Sequence, residues 1–89
     1  MRSIIINGGS IKNVNDFHQQ IKRLLNFPGY YEENLDALWD CLSELETPIT
    51  IIWQDHTISA TNLNSYFDRI AHIFKDAEKE FKGFLVEYK

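Results

Sequence analysis

Four carboxylates, Glu33, Asp36, Asp40 and Glu44, recur at i, i+3, i+7 and i+11, a spacing that lines them along one side of a helix. Leu35, Leu38 and Leu42 form the opposite stripe, so the spacing predicts a short amphipathic helix over 33–43 with one acidic face. That face is costly. Aspartate is a poor mid-helix residue, like charges four apart repel by about 0.2–0.5 kcal/mol, and no lysine or arginine on the segment answers them. Tyr30 and Tyr31 stand just before the helix and Trp39 adjoins Asp40. Aromatic rings beside charges are the make-up of a protein-binding surface. Fixed anions of this kind attract a cationic protein. The ordinary alternatives are a solvated polar face and, for Tyr31 or Trp39, core filling.

Other residues able to do chemistry are scattered. Asp36 and Asp40 as paired carboxylates, with His18, His56 and His72 as bases or ligands, would make an enzyme. General acid–base work needs a water-excluding pocket, which a convex helix does not supply, and no phosphate loop, nucleophile motif or metal-spaced His/Cys set accompanies them. The expectation is therefore a non-enzyme without metal or cofactor. His18, one residue after Phe17 on an amphipathic pattern, reads as a polar surface histidine, and His72 reads the same way. Asp55-His56 is too little for a metal site. Cys41 lies among apolar neighbours on an acidic helix, which would raise its pKa, and reads as a small buried hydrophobe.

The elements that must position these groups follow from periodicity. Ser3–Ile6 is a β-branched run closed by Asn7-Gly8-Gly9, hence a strand and a turn. A helix follows, capped by Asn13 or Asn15, with Val14, Phe17, Ile21, Leu24 and Leu25 on one side. Asn26–Tyr31, containing Pro28-Gly29, breaks it before the acidic helix. Pro48 opens Ile49–Trp53, an apolar run that reads as a buried central strand, with the isomer of Thr47-Pro48 open. Asp55–Asn64 is weakly patterned, with room for one irregular helical turn. Tyr66, Ile70, Ile73, Phe74, Ala77 and Phe81 predict a long helix ending at Gly83, and Phe84–Tyr88 is the last strand. Strands separated by helices imply crossovers, so the expected fold is α/β, a three-stranded mostly parallel sheet packed with helices in three layers.

Composition bounds the rest. With 89 residues, four glycines and two prolines, the chain reads as a single domain over 1–89 without linkers or repeats. No apolar run approaches the ~20 residues of a bilayer span, the N-terminus is too short in apolar residues for a secretory signal, and the one cysteine suits a reducing compartment. The expectation is a cytoplasmic protein without a membrane partner. From Leu24 to Asp68 there is no lysine or arginine, while Glu32, Glu33, Asp36, Asp40, Glu44, Glu46, Asp55 and Asp68 fall inside that stretch. Such a field repels nucleic acid and attracts a cationic protein.

The run Pro28-Gly29-Tyr30-Tyr31-Glu32-Glu33-Asn34-Leu35-Asp36-Ala37-Leu38-Trp39-Asp40-Cys41-Leu42 closely resembles the signature segment of the barstar family, inhibitors of the extracellular ribonuclease barnase. Thinner similarity runs through Ile6-Asn7-Gly8, Asp16, His18-Gln19, Pro48, Trp53 and the Phe74–Glu80 helix. The resemblance implies a barstar-like fold and an inhibitory surface on the second helix and the loop before it. It implies that Asp40 takes the place of an RNA phosphate among the nuclease's arginine and histidine side chains, and that Asp36 is a second acidic contact. Tyr30, Asn34, Leu35 and Trp39 match neighbouring contact positions, and Asp76 and Glu80 match acidic positions at the rim. The implied partner is a basic, barnase-like ribonuclease, bound 1:1 by a monomer acting as an immunity protein. The alternative partner is another basic protein, such as a different nuclease toxin. The chain departs from the family pattern at Glu32, where a glycine is expected, and at Asp76, where a glutamate is. Glu44–Thr47 is one residue shorter and lacks aromatics, and Lys82 replaces a second cysteine.

Overall fold

The computed structural model describes residues 2–89. Strand β1 (Arg2–Asn7) runs into a 3-10 turn at Gly8–Ser10, then helix α1 (Val14–Leu24) and helix α2 (Leu35–Ser43). Strand β2 (Ile49–Gln54), helices α3 (His56–Leu63) and α4 (Ser65–Glu80), and strand β3 (Phe84–Tyr88) complete the chain. The sheet order is β1-β2-β3 and both pairings are parallel, with Ile6 opposite Trp53 and Trp53 opposite Tyr88. The apolar run after Pro48 is thus the central strand, and the Thr47-Pro48 peptide is cis.

The layering differs from the three layers expected. A chain that steps β1-β2-β3 in one direction through right-handed crossovers lays every helix on the same face. Burial agrees. Ile6, Ile49, Ile51, Trp53 and Phe84 are sealed on the helical side, where Trp53 stacks on Phe17 of α1 and meets Phe67 and Phe74 of α4. The alternate residues face the other way, and Ile5 and Leu85 are 52% and 48% exposed. The fold is therefore two-layered, with one bare sheet face.

Three local differences also have physical causes. Asn13 is the cap of α1, its side-chain oxygen accepting from Asp16 N at 2.8 Å, which decides between Asn13 and Asn15. The acidic helix begins at Leu35, not Glu33, because Glu33 adopts a left-handed conformation (φ 56°) and Asn34 caps the helix instead. The weakly patterned segment is a full helix, α3. Its hidden side pairs Leu63 with a polar residue: Ser59 Oγ accepts from Trp53 Nε1 (3.0 Å) and donates to Gly8 O (2.9 Å). A side chain at Gly8 would collide with the carbonyl oxygens of Gln54 and Asp55, so the turn can approach β2 only as glycine.

Candidate functional site

Helix α2 presents its carboxylates because its leucines are held from behind. Leu38 and Leu42 are buried in the core, and Trp39, half-buried, packs against Phe81 with ring centroids 4.9 Å apart. Asn34 Oδ1 accepts from Ala37 N at 2.8 Å, satisfying one free donor of the first turn and fixing where the helix starts. Asp36 and Asp40 then fall four apart, both exposed. Glu33 is outside the helix and accepts from Gln19 Nε2 at 2.8 Å, while Glu44 is the C-cap, so the expected row of four shortens to two helical carboxylates.

Asp36 and Asp40 form a ridge between two depressions. On one side lies a groove of about 710 Å³, lined among others by Tyr30, Glu32, Asn34, Cys41, Glu44 and Glu46. On the other lies a smaller one of about 380 Å³, walled by Leu35, Trp39, Ile73 and Asp76. The structure thus brings together Tyr30, Asn34, Leu35, Asp36, Trp39, Asp40 and Asp76. Glu80 is exposed near the end of α4 but lines neither depression. Tyr30 is 83% exposed at the rim, on a turn closed by Tyr31 N donating to Pro28 O at 3.0 Å.

Among the described residues no cation pairs with Asp36 or Asp40, although Arg2 lines the larger groove. The ion pair among the described residues is Lys89–Glu87, and His72 Nε2 lies near Asp76 Oδ2, both at 3.5 Å and both exposed. Arg69 shares a third depression with Asp36 without pairing to it. Cys41 is half-buried rather than buried, and partial burial, then Glu44 and Asp40, pushes its thiol up. The resting form is the protonated thiol.

One expectation fails outright. His18 is not at the surface but has no exposed area. Its Nδ1 is 2.7 Å from the Tyr31 hydroxyl and its Nε2 is 2.7 Å from that of Tyr66. Burial lowers its pKa, against an upward pull from Glu33. Tyr31 is correspondingly core, its hydroxyl pushed far up mainly by burial. No local signal marks this arrangement, because the partners lie 13 and 48 residues away. Glu32 and Glu46 add two carboxylates to the larger groove, within the cation-free stretch Leu24–Asp68. His72 is exposed as expected. His56 is half-buried, its Nδ1 donating to Lys89 O at 2.8 Å. Among the described residues no His, Cys, Asp and Glu side chains converge on a metal position, and no helix is long and apolar enough to cross a membrane.

Comparison with known proteins agrees with the geometry. The family model described as Barstar (barnase inhibitor) matches residues 1–89. A Bacillus subtilis (strain 168) protein named "Putative ribonuclease inhibitor YrdF" is 41% identical over 83 residues, covering 92% of this chain and 91% of the relative. An α/β fold with a three-stranded parallel sheet, a solvent-facing pair of aspartates on its second helix and a family match over the whole chain lead to one assignment: the chain belongs to the barstar family.

Proposed function

We propose that this protein inhibits a basic ribonuclease of the barnase type by placing Asp40, with Asp36 beside it, where the enzyme would hold an RNA phosphate. As a member of an inhibitor family it is not an enzyme. Binding alone blocks the target, because a carboxylate that takes the cleft's cationic donors leaves none for the reaction's developing charge.

The observation that carries this reading is the state of Asp36 and Asp40: exposed, unpaired and mounted on a capped helix. An ion pair within the molecule would have to be broken before a partner could use them. None is present among the described residues, so the electrostatic attraction is available to an incoming cationic cleft. Tyr30, Asn34, Leu35 and Trp39 supply the surrounding contact area. Asp76 and Glu80 act as rim carboxylates, Asp76 after release from His72. The protein works as a single-domain monomer in a 1:1 complex in the cytoplasm, protecting the producing cell as an immunity protein does.

The test is RNA cleavage by purified barnase during titration with the protein. Loss of activity at near-equal molar ratio supports inhibition. Full cleavage in the presence of a large excess would overturn barnase-type targeting, and binding to a different basic nuclease would then define the partner.

A further inference from the structure

The ten residues between α1 and α2 carry Tyr30 and Asn34, yet they contain no regular element. Their shape depends on a few ties. Phe27 N donates to Lys22 O at 2.9 Å, Gln19 Nε2 donates to Glu33 Oε1 at 2.8 Å, and the Phe27 and Tyr31 rings meet at 5.0 Å. Tyr31 is buried, only 5% exposed, and its hydroxyl ends on His18. The other imidazole nitrogen continues the contact to Tyr66 on α4. Three parts of the molecule therefore meet at one ring.

A neutral imidazole has one donor and one acceptor, and a phenol can play either role. Whichever tautomer is present, one tyrosine donates to His18 and the other accepts from it. The sequence Tyr31–His18–Tyr66 is thus a directional hydrogen-bond chain that is fully satisfied only with neutral histidine. A second proton makes both ring nitrogens donors. The tyrosine that had donated must turn its hydroxyl proton away, and among the described residues the Tyr31 hydroxyl has no hydrogen-bond partner other than His18.

We infer that His18 is the positioning residue for the partner-binding segment: it ties Tyr31, and through it Tyr30 to Asn34, to helix α4, so that protonating His18 loosens this segment and weakens partner binding. This rests on the reading of the surface given above. The titratable and charged groups around the ring are few. Glu33 of the segment draws a proton toward His18, Cys41 of α2 acts on Tyr31, and Arg69 of α4 lies 5.9 Å from the centre of the Tyr66 ring. From the helix's own side comes the apolar Phe17 ring, 5.2 Å away, with Trp53 of the sheet stacked behind it. Burial opposes Glu33 and keeps the neutral form in place near neutrality. Neither His18 nor Tyr66 lines the two depressions beside the ridge, so neither is a contact residue of that surface.

The test uses the full chain, its His18→Gln variant and its Tyr66→Phe variant, each at about pH 8 and about pH 5.5 to bracket histidine titration. Amide hydrogen exchange of Phe27–Asn34, corrected for intrinsic rates, reports the segment, and calorimetric titration with barnase reports binding. The expected result is faster exchange and weaker binding of the wild type at the lower pH. His18→Gln should show little of that difference. Tyr66→Phe, which removes one hydrogen bond at a half-buried hydroxyl, should raise exchange and weaken barnase binding by about three- to tenfold at the higher pH. The inference is overturned if Tyr66→Phe matches the wild type in exchange, or if wild type and His18→Gln share one exchange profile with pH. Should the wild type fail to bind barnase, the proposed target is wrong, and the exchange measurements still decide the role of His18.

Discussion

The indole of Trp39 lies against the ring of Phe81, centroids 4.9 Å apart and planes inclined by 40°. This contact locks the acidic helix to the end of α4, so the ridge of Asp36 and Asp40 is held by the scaffold and not only by its own helix. Replacing Phe81 by leucine keeps an apolar group but removes the ring pair. The variant should lose about 1 kcal/mol of stability, read as a lower midpoint in urea unfolding at unchanged slope; no change in midpoint would show the pair to be dispensable.

Asp40→Ala should weaken barnase binding by more than about tenfold, since each hydrogen bond to a charged group is worth about 1.5–3 kcal/mol. Stability should stay within about 0.5 kcal/mol of wild type because the side chain is exposed and unpaired. Asp16→Ala is the control. That carboxylate accepts from Lys12 N at 3.0 Å and belongs to the start of α1, so its loss should show in unfolding and hardly in binding. Equal effects of the two substitutions on binding would remove the special status of Asp40.

Asn34 has two jobs that one substitution separates poorly and two separate well. Asn34→Ala removes the cap of α2 and should cost about 1 kcal/mol of stability along with binding. Asn34→Asp keeps an acceptor for Ala37 N and should restore stability. Recovery of binding by Asn34→Asp as well would mean that only the cap matters to the partner.

The folded-state pKa of His18 lies below its ordinary value of 6.5 because burial penalises the cation. The unfolded chain therefore takes up this proton first as pH falls, and linkage gives the sign: the contribution is full above about pH 6.5 and is lost as pH drops through the lowered folded value. Unfolding free energy measured from pH 8 to 5 should fall in the wild type and fall less in His18→Gln. Parallel curves would assign the acid sensitivity to other groups.

Cys41 is reachable by solvent, yet its thiol is held protonated by partial burial and by Glu44 and Asp40. At about pH 8, near the ordinary thiol range, iodoacetamide should alkylate it several-fold more slowly than a free cysteine. Guanidinium should abolish the difference. A native rate equal to the free thiol would contradict the raised pKa.

Much of this architecture was legible in the chain. The β-branched runs at Ser3–Ile6 and Ile49–Trp53 and the heptad-like pattern from Tyr66 to Phe81 contain enough apolar period to give element type and order. What escaped were features whose partners are distant in sequence. The helix α3 hides Ser59 under an indole and a glycine carbonyl, and a polar residue buried by its hydrogen bonds leaves no apolar period to read. His18 escaped for the same reason. Glu33 was misplaced by the carboxylate spacing although Asn34, a strong capping residue three before Ala37, stood in the sequence as the better start signal. For the candidate site, the signature run drew attention to the exposed aspartates, whereas the segment's anchoring through Tyr31 needed coordinates.

Since every helix shares one face of the sheet, the molecule has a back that looks away from the ridge of aspartates. Ile5 and Leu85 sit there, exposed and outside the core. A dye, a tether or a solid support joined at either position would leave the ridge clear, which makes the bare β-surface the natural handle for immobilising this protein with its binding side outward.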